Sequence, residues 1–212
     1  HIVECANAAD LDGVFLGGDI IDFLSEGNGK QLGQSLMKLE VPFLCGLADH
    51  DLYCWWTDHT QEEQEILRDK MQYEAVEVVD YGAFLIVSIN NSTDQMTPAA
   101  LDEVRRVFAQ GTPVIIMQHV PMDFGMDEEL RELSRQNWED RVLLWGDDCY
   151  YEPDEVTRAY LDLVNAPDSP VVAVLAGHLH FRHEGMLNGR IMQYIFNPAY
   201  TGEVAIFTVK GK

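Results

Sequence analysis

Short, unbroken apolar runs punctuate this chain, and segments of helical spacing lie between them. Gly13-Val14-Phe15-Leu16-Gly17, Val41-Pro42-Phe43-Leu44-Cys45, Pro113-Val114-Ile115-Ile116-Met117 and Val171-Val172-Ala173-Val174-Leu175 have strand length and read as buried strands. Residues 2–10 look like the tail of a helix, and residues 32–40 place Leu32, Leu36 and Leu39 at helical spacing. Thr97-Pro98 offers an N-cap and a first-turn proline for a helix running to about Gln110, and residues 153–165 read as another helix. The polar, acid-rich residues 58–72 alternate like an exposed helix. Residues 75–79 and 83–89 are β-rich and flank Asp80-Tyr81-Gly82, which predicts a hairpin. Asn188-Gly189 predicts a second hairpin, and residues 204–209 a closing strand. Residues 122–152 are acidic and irregular, with Phe124, Trp138, Trp145, Tyr150 and Tyr151 scattered through them; they read as a lid or rim.

This order of strand, helix, hairpin and final meander predicts an α/β layered fold with mixed sheets. No repeat, low-complexity tract or long linker divides the chain, so residues 1–212 are read as one domain. The chain opens on His1, which is read as a start inside a longer product.

Charge changes the picture more than overall composition does. Thirty-six acidic residues against 14 basic ones give a formal net charge of −22, while apolar residues make up an ordinary 47%. Such an excess argues against non-specific binding to nucleic acid or anionic membrane, because no basic surface offsets phosphate repulsion. No apolar run approaches the roughly 18 residues of a membrane span. Cys5, Cys45, Cys54 and Cys149 show no paired spacing and read as free thiols of a reducing compartment, hence a cytoplasmic expectation. Cys45 in its apolar run and Cys54 beside Trp55-Trp56 read as packing.

Four of the predicted strands end in residues able to hold a cation: Asp19, Asp49 with His50, His119, and His178 with His180. Ligands of open α/β sheets gather at the carboxyl ends of strands. In the last group Gly177 permits a sharp turn, and in extended backbone His178 and His180 would face the same side. Carboxylates and imidazoles without thiolates suit Mn, Fe or Zn.

Gly18-Asp19 with Asp22, Ala48-Asp49-His50-Asp51, His119 and Gly177-His178-Leu179-His180 together resemble the calcineurin-like metallophosphoesterase superfamily in order and rough spacing. The resemblance runs from the strand before Asp19 to the last strands. It implies a four-layer α-β-β-α sandwich with two mixed β-sheets, and two divalent metal ions that supply an activated hydroxide for phosphoester hydrolysis. By the same resemblance Asp19 bridges the metals, while Asp49, His119 and His178 complete one site and His180 serves the other. His50 is the implied general acid or phosphate contact, oriented by Asp51. The family opens with a strand ending in Asp-x-His, and no such strand precedes Asp19 in this chain. Two expectations stand: a segment lies upstream in the natural product, or this is a one-metal relative.

Ala48-Asp49 also stands where the family has Gly-Asn. The extra negative charge should tighten cation binding and weaken attraction for an anionic substrate. The expected substrate is a small phosphomonoester or phosphodiester, since Arg182 and His183 are the nearest basic residues in sequence to hold a second phosphate. Tyr194, Asn197 and Tyr200 lie soon after the last strand that carries candidate ligands and are expected near the site. The rival expectations are a weak or inactive relative that binds metal or a partner, and hydrolysis of a pyrophosphate or non-phosphate ester.

Overall fold

A computed structural model describes residues 2–23, 25–52, 75–91 and 95–210. Helix α1 (Ile2–Ala8), strand β1 (Val14–Gly17), helix α2 (Glu26–Leu36), strand β2 (Phe43–Gly46) and the short α3 (Asp49–Leu52) form the first part. Strands β3 (Val76–Asp80) and β4 (Leu85–Ile89) follow, then helix α4 (Pro98–Phe108), strand β5 (Val114–Gln118), and helices α5 (Glu128–Asn137) and α6 (Glu155–Asn165). Strands β6 (Val171–Ala176), β7 (His183–Met186) and β8 (Met192–Ile195) lead to a 3-10 turn, Ala199–Thr201. The exposed helix expected over residues 58–72, and Cys54 with Trp55-Trp56, lie outside the described residues.

The strands form two sheets. β1 and β2 pair in parallel, and the larger sheet runs β3-β4-β5-β6-β8-β7. Its central pairs β4–β5, β5–β6 and β6–β8 are parallel, while β3–β4 and β7–β8 are the two antiparallel hairpins expected from the turn residues. Two mixed sheets were expected; among the described residues only the six-stranded one is mixed, because β1 and β2 are joined by a helical crossover and not a hairpin.

β4 and β5 are buried along their whole length, and their side chains alternate between two cores. Val87, Ile89, Val114 and Ile116 face a core shared with Val104 and Val107 of α4 and Tyr160 and Val164 of α6. Ile86, Ile115 and Met117 face the other way and join Leu44 of β2, with Phe15 of β1 packed against them. The second core glues the two sheets together. Burying each such Val, Leu or Ile side chain is worth about 1.5–3 kcal/mol, so these two strands anchor the layers. β6 is less enclosed than its apolar sequence implies: Val171, Val174 and Ala176 are buried, but Val172 is exposed.

Helix starts follow their caps. The Thr97 hydroxyl accepts from Ala100 N–H ahead of Pro98, and the Asp154 carboxylate accepts from Thr157 N–H. The helix expected over residues 32–40 instead begins at Glu26, because Ser25 accepts from Asn28 N–H there; Leu39 lies past its end. α1 and α2 bury none of their residues.

Two further expectations need correction. Residues 122–152 are not irregular throughout. Asp127 caps α5 by accepting from Leu130 N–H, and Leu130, Val142, Leu143, Leu144 and Trp145 are buried. The apolar stripe of α5 is Leu130 and Leu133 alone among charged and polar residues, too short to stand out from the acidic stretch around it. Residues 204–209 are not a strand; Val204, Ile206, Phe207 and Val209 are exposed, and only Phe207 is set edge-on against Tyr194 and Phe196. β propensity makes a strand only where a neighbouring strand is present to pair with it. Among the described residues no helix is long and apolar enough to cross a membrane.

Candidate metal centre

β1, β2, β5 and β6 end close together, and each exit loop delivers one candidate ligand. One ligand atom each from Asp19, Asp49, His119 and His178 lies within 4.8 Å of the others. β5 and β6 are adjacent parallel strands, so His119 and His178 come side by side with ring centroids 5.0 Å apart. Gly177 N–H donates to the His119 carbonyl at 3.0 Å and holds those two exits in step.

The exits from the small sheet are tied by Asp51. One carboxylate oxygen accepts from Ile20 N–H at 2.8 Å and Ile21 N–H at 3.1 Å; the other accepts from Ala48 N–H at 3.0 Å. Asp51 thus bolts the loop carrying Asp19 to the loop carrying Asp49. Burial pushes its carboxyl up to about 6, against the pull of the backbone donors. Asp51, expected to orient His50, accepts from backbone N–H groups with both oxygens, and His50 Nδ1 lies 2.8 Å from the Asp22 carbonyl oxygen.

His119 links the sheets. Its Nδ1 lies 2.9 Å from the Gly17 carbonyl oxygen. A carbonyl can only accept, so Nδ1 carries the hydrogen and the lone pair of a neutral ring sits on Nε2. That Nε2 is 3.0 Å from Asp19 Oδ2, without the alignment of a hydrogen bond. A lone pair facing a carboxylate needs positive charge between them. The ring is already drawn that way: burial disfavours its charged form, yet Asp19 raises its pKa overall. Asp19 is shifted downward; burial opposes this, and His119 outweighs it, with help from His50 and His178. Asp19 Oδ1 and His119 Nε2 are buried and lack hydrogen-bond partners. Orphaned buried atoms of this kind are costly unless something satisfies them, and a divalent cation fits both.

His178 suits the same role. Burial, then the neighbouring His119, pushes it down to about 3, so the ring is neutral at physiological pH, as a ligand must be. Oxygen and imidazole ligands bind such ions at about 2.0–2.2 Å, and small side-chain rotations would gather these four atoms onto one ion.

The backbone at these exits is strained rather than extended. Asp19, His178 and His180 all have positive φ, at 50°, 67° and 58°. Non-glycine residues adopt that region at a cost of order 1–3 kcal/mol each, typically where a site demands it. The backbone at His178 and His180 is therefore not the extended one expected from the sequence. His180 stands outside the four-residue group, is exposed, and lies edge-on to Trp138 and Tyr200 with centroids 5.2 and 6.2 Å away. Its pKa is lowered chiefly by burial of its ring.

The structure brings together four of the five residues read as ligands, and sets two more against them: Asn91, which the sequence did not single out, and Tyr151, which it read only as an aromatic of the lid or rim. Asn91 accepts from His119 N–H at 3.0 Å and donates to the Val120 carbonyl, bracketing the histidine. Its signal was its place just beyond an apolar strand, as for the ligands. The Tyr151 hydroxyl lies 3.1 Å from His178 Nε2; in sequence it is one aromatic among several in an acidic stretch. Tyr200 also borders this face, with its ring 80% exposed beside His180.

No family model matches the chain, and no curated protein sequence matches it. Among solved structures it is similar to a dimetal phosphatase from Danio rerio, at 11% identity, covering 92% of this chain and 75% of that one with a TM-score of 0.59. It is also similar to the phosphopantetheinyl hydrolase of Mycobacterium tuberculosis, at 12% identity, covering 87% and 79% of the two chains with a TM-score of 0.47. The first likeness shows a shared fold, and so the chain has the metallophosphatase fold that its Gly18-Asp19, Ala48-Asp49-His50-Asp51, His119 and Gly177-His178 pattern resembles.

Proposed function

We propose that the chain is a metal-dependent phosphoesterase acting on a small phosphomonoester or phosphodiester. The observation that carries this reading is the buried pair of unsatisfied atoms, Asp19 Oδ1 and His119 Nε2, at the meeting of four strand exits. Asp19, Asp49, His119 and His178 are the residues that would hold a divalent ion. A bound Mn, Fe or Zn ion supplies Lewis acidity for phosphoryl oxygens and a source of nucleophile at neutral pH. The Danio rerio protein, a dimetal phosphatase by its description, supports a reaction of this kind on this fold.

The remaining roles belong to the chain itself. Asp51 keeps the two carboxylate-bearing loops in register through its three backbone bonds. His50, with Nδ1–H given to the Asp22 carbonyl, has Nε2 as the nitrogen that exchanges a proton with the leaving-group oxygen. Asp49 adds charge that favours the cation and disfavours an anionic substrate. Small esters fit a formal charge of −22 better than polyanions do.

Turnover of p-nitrophenyl phosphate and bis(p-nitrophenyl) phosphate in the presence of Mn, Fe or Zn tests the reading. Metal-stimulated release of nitrophenol, lost in His178→Ala, is expected. Equal rates with and without metal would sink it. A single four-residue ligand group among the described residues supports a second reading, a module that binds one cation without catalysis. Tight metal uptake with no turnover across a broad ester panel selects that alternative.

A further inference from the structure

Among the described residues, His178 is the ring of the ligand group with a phenol against it: the Tyr151 hydroxyl is 3.1 Å from Nε2, and the two rings meet edge-on at 5.4 Å. A neutral imidazole has one N–H and one lone pair, and it can offer a cation only the nitrogen that lacks the hydrogen. Whatever fixes the hydrogen therefore decides which nitrogen is available.

Tyr151 is well placed to fix it because its own position is held by its neighbours. Short bridges join Met122 to Trp145 and Trp145 to Tyr151. Trp145 N–H donates to the Pro121 carbonyl and Asp123 N–H to the Trp145 carbonyl, both at 2.8 Å. Met122 and Trp145 are fully buried, and Trp145 packs edge-on against Tyr160. This ladder begins just after His119 and delivers the phenol to His178. The Tyr150 ring stands 5.1 Å from it and nearly perpendicular. A hydroxyl on so rigid a support holds an imidazole at lower entropic cost than one on a loose loop.

We propose that Tyr151 is a positioning residue for His178: its phenol oxygen accepts the Nε2–H and leaves the Nδ1 lone pair to the cation. This rests on the metal reading of the site given above. Tyr151 touches no reacting atom in this scheme; it acts through the histidine. The reverse arrangement, in which the phenol donates to Nε2, would leave hydrogen on Nδ1 and close both nitrogens to metal.

Two measurements on the 212-residue chain test the proposal. Long-range proton–nitrogen NMR of the wild-type protein reports the His178 tautomer directly, and an Nε2–H ring is expected. An Nδ1–H ring overturns the inference. Zinc titration against a competing chelator then compares wild type with Tyr151→Phe, which keeps the ring and removes only the hydroxyl. A loss of about 10–100-fold in zinc affinity is expected, the usual effect of removing a group that orients a ligand. Unchanged or tighter binding overturns the inference while leaving the metal site standing. A wild-type chain that takes up no zinc overturns the metal reading instead, and the tautomer of its His178 still decides the role of Tyr151.

Discussion

His119 gives its Nδ1–H to the carbonyl oxygen of Gly17, 2.9 Å away, and so ties the end of β5 to the end of β1 across the junction of the two sheets. Everything in the candidate centre depends on how closely those two exits approach.

Gly18 sets that approach. Its φ is +92°, and a Cβ there would stand 2.7 Å from His119 Nδ1 and 2.8 Å from the Ala48 side chain. Gly18→Ala should destabilise the chain by about 1–3 kcal/mol through overpacking alone, with the cost of the left-handed backbone added. It should also push His119 off Gly17 and weaken zinc binding. Urea unfolding and zinc titration check both, and a wild-type unfolding midpoint in the variant would refute the close approach.

Asp51 is the other clamp. Asp51→Ala strands three backbone N–H groups that now reach one buried carboxylate. Leaving even one buried donor unpaired costs about 1–3 kcal/mol, so a loss at or above the top of that range is expected. Asp51→Asn, which keeps one acceptor oxygen, should lose less. Because Asp19 and Asp49 sit on the clamped loops, metal affinity should fall in the same order. Denaturant unfolding of both variants without metal separates the stability term from the binding term.

Metal should act as a stabiliser. An ion that binds only the folded chain adds about 2.7 kcal/mol when its free concentration is 100 times Kd. Thermal unfolding of the zinc-loaded chain should therefore shift upward and return on chelation. Asp19→Ala and His119→Ala should abolish the shift, since they remove the two atoms that lack partners. An equal shift in both variants would place the ion elsewhere.

The thiols should divide by environment. Burial pushes Cys45 and Cys149 each up to about 12, with nearby carboxylates adding to it, so both stay protonated thiols at neutral pH. Cys5 is exposed on α1. In a Cys54→Ser background, iodoacetamide at pH 7.5 should label Cys5 well before the other two, because the thiolate is the nucleophile. Peptide mass spectrometry reads the order, and rapid labelling of Cys149 would contradict its setting beside Asp123.

Much of this architecture was legible in the chain because it is encoded locally. The apolar runs ending at Gly17, Cys45, Met117 and Leu175 marked four strands to within two residues, and Thr97-Pro98 marked a helix start through its own capping chemistry. Asp127 did the same for α5 but went unread, since the helix it starts carries just two leucines in an otherwise charged and polar segment. The run 204–209 shows the opposite failure: β-prone side chains without a partner strand.

What the sequence determined by itself was the inventory: which strands are buried, and that each of four exits carries a carboxylate or an imidazole. Tertiary structure decided which of those groups meet. Asp19, Asp49, His119 and His178 converge because β1–β2 packs on β5 and β6 with their carboxyl ends together. His180 lies outside that group, on backbone that positive φ at two positions turns off the extended path. Tyr151 and Asn91 reach His178 and His119 from 27 and 28 residues away in sequence, at 3.1 and 3.0 Å. No local pattern encodes such contacts, since each depends on the docking of elements whose residues are distant in sequence.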